Sequence, residues 1–170
     1  MELCNECGMF RVESGVLKEF ECAKANQVEE NVWRCLDIPE GVRVIPEETF
    51  RWCHVQQRLT FPKSLRVIGA GHGCAFANSR LPHVELPDTL EVLGDFVFGA
   101  STMDSLRIPR GLKSEYARQF KESRIGTLYL PEEFRSNDPH IPFCGQYEVQ
   151  YGYIRSMLVN NVEIGEIIFE

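Results

Sequence analysis

A four-residue motif, apolar–x–apolar–Pro, recurs five times along the chain and constrains its fold more than any other feature. The prolines that close the motif follow one another at intervals of 23, 25, 22 and 22 residues. A period of this kind indicates a stack of equivalent units, in which each unit buries its apolar face only against its neighbours. The motif occupies residues 36–39, 59–62, 84–87, 106–109 and 128–131.

The geometry of a β-strand explains the motif. In the first copy, Leu36 and Ile38 are two residues apart and therefore share one face of a strand, whereas Asp37 points to the other face. Pro39 has no N–H for a ladder hydrogen bond, so it ends the strand at a fixed place. We therefore expect five parallel strands, about 4.8 Å apart, that form one wall of a solenoid with a solid core. A period of about 20–29 residues is typical of leucine-rich repeats.

Four phenylalanines each follow a motif proline at a similar distance along the chain. Phe50, Phe98 and Phe120 each follow their proline by eleven residues. Phe76 follows its proline by fourteen, which indicates an insertion around residues 69–73. Apolar residues also follow every proline by three positions. We expect the phenylalanines to fill each coil from the side opposite the strands.

Short helical turns are predicted to carry these phenylalanines. Residues 46–48 read Pro-Glu-Glu, with the proline suited to a first helical position and the acids near the positive end of the helix dipole. Residues 114–125 are predicted to form a longer helix, with Ser114 as its N-cap and Gly126 after its end.

The coil resembles the BspA-like type of bacterial leucine-rich repeat, which reads approximately L-x-x-I-x-L-P-x-x-L-x-x-I-G-x-x-A-F-x-x-C. Matching pairs are Ile68-Gly69, Ala75-Phe76 and Leu93-Gly94, and Cys53 matches the trailing cysteine. The resemblance covers about residues 10–134. It implies an α/β-type, mostly β repeat solenoid, a right-handed coil with short helical turns, and about four and a half repeats that start near 36, 59, 84, 106 and 128. It also implies protein–protein recognition, often at bacterial surfaces.

Both ends of such an array need caps, because a terminal coil would otherwise expose core and strand edges. Within one domain, we expect an N-terminal cap at 1–35, repeats at 36–134 and a C-terminal cap at 135–170. Residues 147–169 alternate in hydrophobicity, and Asn160-Asn161 would form the turn of a β-hairpin between 154–159 and 162–169. The alternative is that this segment is a partner-binding edge or a contact through which the protein forms homo-oligomers.

The charge balance and the search for targeting signals limit the partners and the cellular locations that we expect. The formal net charge is −7, with 18 basic against 25 acidic residues, which argues against nucleic acid as a partner. The first residues carry no signal-peptide pattern, and no apolar run reaches the roughly 18 residues of a membrane span. We therefore expect a cytoplasmic location without membrane insertion, or a surface location if a leader has been removed. The seven cysteines are expected to be reduced thiols.

Candidate chemistry is sparse. Cys4-x-x-Cys7 resembles half of a zinc knuckle, but zinc needs four ligands, so unremarkable free thiols are the favoured interpretation. The glycines of 69–73 imitate a dinucleotide-binding loop, but no crossover helix follows them, so we expect no cofactor. No pattern of a hydrolase or P-loop is present, and we expect a protein that is not an enzyme.

Side chains that point outward from the strands are the candidate partner-binding residues. Trp52 is either a packing residue at the edge of a coil, which we favour, or an exposed anchor. The sequence thus predicts a protein-binding module with an unknown partner. The alternatives are a self-associating structural unit and a small zinc- or thiol-dependent protein that uses Cys4 and Cys7. One predicted row contains Asp37, Thr60, Glu85, Arg107 and Tyr129, and a second contains Arg43, Arg66, Glu91 and Lys113.

Overall fold

The computed structural model describes residues 1–71, 73–110, 112, 118–132 and 161–170, and these residues form two β-sheets. The strands are β1 (Glu2–Asn5), β2 (Gly8–Glu13), β3 (Val16–Cys22), β4 (Gln27–Glu29), β5 (Val32–Asp37), β6 (Val44–Ile45), β7 (His54–Thr60), β8 (Val67–Ile68), β9 (Arg80–Glu85), β10 (Val92–Leu93), β11 (Thr102–Arg107), β12 (Arg124–Leu130) and β13 (Glu163–Phe169). No described helix is long and apolar enough to cross a membrane.

The five motif strands lie side by side, as the repeat predicts. They belong to a seven-stranded sheet with the order β13-β12-β11-β9-β7-β5-β4. Every pairing in it is parallel except that of β4 with β5. Equivalent leucines are direct partners: Leu36 pairs with Leu59, and Leu106 pairs with Leu128. The prediction of a parallel ladder is therefore confirmed.

The segments after the prolines build the second sheet. It has the order β1-β2-β3-β6-β8-β10. The short strands β6, β8 and β10 are parallel, with Val44 opposite Val67 and Val67 opposite Val92. Strands β1, β2 and β3 form an antiparallel meander at one end of this sheet. The two sheets enclose the core between them, since the inward residues of both are buried.

A stack of aromatic rings runs through the core. Phe50, Phe76, Phe98 and Phe120 are each at most 1% exposed. Their ring centroids are 5.1, 5.5 and 5.4 Å apart, and their planes become nearly parallel along the chain, at 24°, 14° and 4°. Phe20 continues the stack toward the N-terminus, 5.7 Å from Phe50. The insertion at 69–73 therefore leaves Phe76 in register with the other rings.

The predicted helices are not found in the described residues. Residues 47–52 form turns, and so do residues 118–122, after which β12 begins. Part of the predicted helix, 114–117, lies outside the described residues. Glu48 and Glu122 have φ angles of 57° and 62°, which a helix does not allow.

The backbone of these turns bonds to the next coil instead of to itself. The N–H of Phe50 donates to the carbonyl of Ala75 at 2.8 Å, and the N–H of Phe76 donates to that of Val97 at 2.8 Å. A helix would direct these N–H groups to carbonyls of its own chain segment. The stacking of coils therefore satisfies the N–H groups that a helix would have used, and for the described turns the helical prediction is wrong for this reason.

A column of small polar residues follows the phenylalanines by three positions. It consists of Cys53, Ser79, Ser101 and Ser123, all buried. The Ser79 hydroxyl accepts from the N–H of Cys53 at 3.2 Å, and the Ser101 hydroxyl accepts from the N–H of Ser79 at 3.1 Å. Ser101 also donates to the carbonyl of Phe76 at 2.7 Å. Burial raises the pKa of the Cys53 thiol to about 12, so this cysteine is a core residue rather than a reactive one.

Removal of one hydroxyl from this column should destabilise the folded protein. We expect Ser101→Ala to lower the free energy of unfolding by about 1–3 kcal/mol, because the N–H of Ser79 would lose its buried acceptor. Urea denaturation followed by circular dichroism measures the change. Alanine at the exposed Gln57 of β7 serves as the control. An equal effect at both positions would show that the column does not stabilise the fold.

Strand β13 lies at the position of the second arm of the predicted C-terminal hairpin. It pairs in parallel with β12, with Leu128 opposite Ile167 and Leu130 opposite Phe169, and so adds another rung to the ladder. Asn161 is in a turn with a φ angle of 57°. The first arm of the hairpin, at 154–159, lies outside the described residues. The hairpin, and self-association through it, therefore stay predictions.

Candidate functional site

The first predicted row lies along the ends of the motif strands. Asp37 is the direct partner of Thr60, Glu85 of Arg107, and Arg107 of Tyr129. The register thus aligns Asp37 with Thr60 and, further along the sheet, Glu85 with Arg107 and Tyr129. Strand β13 extends it, since Ile168 pairs with Tyr129.

Two hollows open beside this row. The larger, of about 430 Å³, has a floor that includes Phe61, Leu86 and Pro87. Its neighbour, of about 380 Å³, includes Ile108 and Pro131. The hollows are adjacent, share two lining side chains and together lie across several coils. We call the two together the strand-end groove. Its charged lining residues are Lys63, Glu85, Asp88, Arg107, Arg110 and Glu170, with Asp88 and Arg107 common to both hollows.

Arg107 lies at the centre of the strand-end groove. Its Nη1 is 3.4 Å from the carboxylate of Glu85, and its Nε donates to Glu170. The hydrogen bond to Glu170 is the main cause that raises the pKa of Arg107. The side chain is 40% exposed, so these ion pairs are solvated and weak. A partner could therefore replace them at small cost.

The second predicted row lies beside the other sheet. The N–H of Arg66 donates to the carbonyl of Arg43, and the N–H of Glu91 donates to that of Arg66, both at 2.9 Å. The side chains of Arg66 and Glu91 form an ion pair at 3.7 Å. Lys113 lies outside the described residues. The two predicted rows thus belong to different faces and do not form one site.

Trp52 is exposed, which corrects the favoured interpretation of it as a packing residue. Its relative exposure is 59%, among the largest of the apolar side chains described. Its φ angle of 66° places it on the turn that follows Phe50. The guanidinium of Arg51 lies 5.5 Å from the centre of its ring, a cation–π contact. Trp52 is therefore a surface aromatic on the turn that leads into β7.

The cysteines also depart from expectation. Cys7 and Cys35 form a disulfide with their Cα atoms 5.7 Å apart, whereas all seven cysteines were expected to be reduced. The bond joins the turn between β1 and β2 to β5. Cys4 is exposed and does not join Cys7, so the Cys-x-x-Cys spacing does not create a pair.

A buried amide holds the region of the disulfide together. Asn26 is 3% exposed. Its Nδ2 donates to the carbonyls of Cys7 and Cys35, at 2.9 and 2.8 Å, and contacts the Cys22 sulfur at 3.4 Å. Its Oδ1 accepts from the N–H of Cys35 at 2.8 Å. Burial raises the pKa of Cys22, which keeps that thiol protonated. Sequence spacing gave no signal for this network, because its members meet only after the meander packs on β5.

Asp37 joins the disulfide to the first predicted row. The N–H of Asp37 donates to the sulfur of Cys7 at 3.3 Å, and its Oδ2 lies 3.5 Å from the same sulfur. Arg58 donates to both carboxylate oxygens, and Thr60 donates to Oδ1 at 2.9 Å. Burial alone would raise the pKa of Asp37, but these hydrogen bonds and the charge of Arg58 hold it below its ordinary value. Asp37 is therefore an anion at neutral pH.

His83 and Ser105 form a pair that the sequence did not single out. They are direct partners on β9 and β11, and Nδ1 of His83 is 2.8 Å from the hydroxyl of Ser105. The distance would suit a base and a nucleophile. Ser105 is only 9% exposed, however, and neither side chain lines a hollow described above. The contact is a cross-strand hydrogen bond that stabilises the sheet.

Comparison with known protein families settles the type of repeat. A family model described as BspA type leucine rich repeat region matches residues 30–144 in six copies. The chain belongs to this family. Its leucine-rich repeats form a mostly β solenoid of about four turns. A search of curated proteins found no match.

Proposed function

We propose that this leucine-rich-repeat protein is a protein-binding module and that its partner binds along the strand-end groove. The observation that carries the proposal is that two adjacent hollows lie across neighbouring coils, with Arg107 and Asp88 lining both of them. Repeat proteins use surfaces of this extended kind to bind their partners.

The chemistry of the groove favours a polypeptide. Its floor is apolar, with Phe61, Leu86 and Ile108, and its walls carry charges of both signs. Protein interfaces commonly combine an apolar centre with a polar rim. Arg107 lines both hollows, and Tyr129 is its direct partner on the next strand; arginine and tyrosine are enriched among residues that dominate binding energy.

A capture experiment tests the proposal. The purified protein is immobilised and exposed to extract of the native host, and retained proteins are identified by mass spectrometry. We expect the double variant Arg107→Ala/Tyr129→Ala to bind the retained partner at least about tenfold more weakly, which corresponds to about 1.4 kcal/mol. Titration calorimetry with the recombinant partner gives the ratio.

Two controls make the result specific. Arg118→Ala removes an arginine whose side chain is 60% exposed on the turn between the coils, and it should leave binding unchanged. Arg43→Ala/Arg66→Ala tests the second row. Unchanged affinity in the Arg107/Tyr129 variant, or a larger loss in the Arg43/Arg66 variant, would remove the strand-end groove as the binding surface.

A further inference from the structure

Three metal-ligating side chains converge where the N-terminal meander meets the first repeat. The sulfurs of Cys7 and Cys35 and a carboxylate oxygen of Asp37 all lie within 4.8 Å of one another. They come from the β1–β2 turn and from β5, and the fold holds both segments in place through Asn26. This cluster differs from the Cys4/Cys7 pair that the sequence suggested, because Cys4 is not part of it.

One pair of atoms in the cluster already has the spacing that two ligands of zinc require. Zinc binds thiolate sulfur at about 2.3 Å and carboxylate oxygen at about 2.0 Å, so a tetrahedral ion separates these two ligands by about 3.5 Å. The observed distance from Cys7 Sγ to Asp37 Oδ2 is 3.5 Å. The N–H of Asp37 also points at the Cys7 sulfur, and hydrogen bonds of this kind orient the ligands of metal sites. Asp37 thus supplies both a ligand and support for another ligand.

We propose that Cys7, Cys35 and Asp37 form a zinc site when the disulfide is reduced. A dithiol of the cell would reduce the Cys7–Cys35 disulfide by thiol–disulfide exchange. The dithiol is oxidised by two electrons to a cyclic disulfide, and its two protons pass to the sulfurs of Cys7 and Cys35. Binding of Zn²⁺ then releases these protons as the two sulfurs become thiolates. Water completes the tetrahedron as the fourth ligand. Thiolates with a carboxylate favour zinc over magnesium or calcium.

Arg58 competes with the zinc ion for the carboxylate of Asp37. Its guanidinium donates to both oxygens of Asp37 and to Glu6, and it would have to release Asp37 when zinc binds. The Arg58 side chain is 50% exposed but that of Asp37 only 21%, and the guanidinium bonds both carboxylate oxygens, so its release opposes binding of the metal. Arg58 therefore sets the affinity of the site, and its removal should strengthen binding of the metal.

Binding of cobalt to the whole chain tests the proposal. The protein is reduced with a phosphine, exchanged into buffer without reductant under argon, and titrated with Co²⁺, whose bonds to thiolates give an intense charge-transfer absorption. We expect one Co²⁺ per reduced chain and its displacement by Zn²⁺. The oxidised chain should bind neither ion at that site. Absence of the absorption band in the reduced wild type would overturn the proposal, and so would equal binding by the oxidised form.

Variants identify the ligands. Asp37→Asn and Cys35→Ser should each weaken binding at least about tenfold. Arg58→Gln should strengthen it severalfold. Cys4→Ser and Cys22→Ser are the matched controls and should bind as the wild type does. Circular dichroism shows whether each variant is folded, and Asp37→Asn keeps the test decisive if Cys35→Ser does not fold. Loss of binding in a control variant, with Asp37→Asn unaffected, would assign the metal to other thiols.

Discussion

Replacement of Phe98 by alanine is expected to lower the free energy of unfolding by about 3–5 kcal/mol. Phe98 is fully buried between two other rings, with centroid distances of 5.5 Å to Phe76 and 5.4 Å to Phe120. The substitution removes a buried aromatic group and leaves a cavity that rigid coils on both sides cannot fill. It also breaks two stacking contacts, each worth about 0.5–1.5 kcal/mol.

Chemical denaturation with urea, followed by circular dichroism, measures this loss. Phe61→Ala is the matched control, since Phe61 is only partly buried and contacts the stack edge-on, 5.8 Å from Phe76. It should cost clearly less than Phe98→Ala. If both variants unfold at the same urea concentration, the stack does not contribute more than an ordinary partly buried ring. A loss below about 1 kcal/mol at Phe98 would mean that the coils collapse onto the cavity.

The repeat made the ladder predictable from the sequence. Leu36, Leu59 and their equivalents occur at a nearly constant interval, and each is followed by a proline that ends the strand. Two independent constraints, burial and a missing N–H, therefore fix the same register. The same logic predicted the row that contains Glu85, Arg107 and Tyr129, because residues between two inward leucine positions must point outward.

The conformation of the turns that carry the phenylalanines could not be predicted from the sequence, for a physical reason. Pro46-Glu47-Glu48 carries favourable local signals for a helix, but the N–H groups of the segment bond to the next coil. Local propensity is a weak prior, and these bonds between coils outweigh it. The in-phase residues Ser79, Ser101 and Ser123 were a signal that could have been used. Each follows a phenylalanine by three positions, where Cys53 also stands.

Neither the strand-end groove nor the cluster of Cys7, Cys35 and Asp37 could be predicted from the sequence. The groove depends on the depth between neighbouring proline turns, which the spacing of residues does not specify. Cys7 and Cys35 are 28 residues apart, and their contact arises because the β1–β2 turn folds over β5. The short Cys4–Cys7 spacing suggested a pair instead, although Cys4 on β1 is exposed and Cys7 in the following turn is buried.

Loss of the Cys7–Cys35 bond is the second change expected to have a large effect. The disulfide closes a loop of 28 residues. In the chain-entropy model, a loop of this length restricts the unfolded chain enough to stabilise the native state by about 3–4 kcal/mol. The oxidised wild type should therefore unfold at a higher urea concentration than the reduced wild type, and the Cys7→Ser/Cys35→Ser variant should match the reduced form.

Measurement in the presence of a chelator separates this effect from that of any bound metal. Cys22→Ser serves as the control, because Cys22 contacts Asn26 but carries no disulfide, and it should keep the full difference between oxidised and reduced protein. Zinc added to the reduced wild type should restore part of the lost stability by binding only the folded state. The double variant should not respond to zinc, since it lacks both sulfurs. Equal unfolding midpoints for the oxidised and reduced wild type would contradict the expected role of the disulfide, because the closed loop would then give no advantage over the open chain.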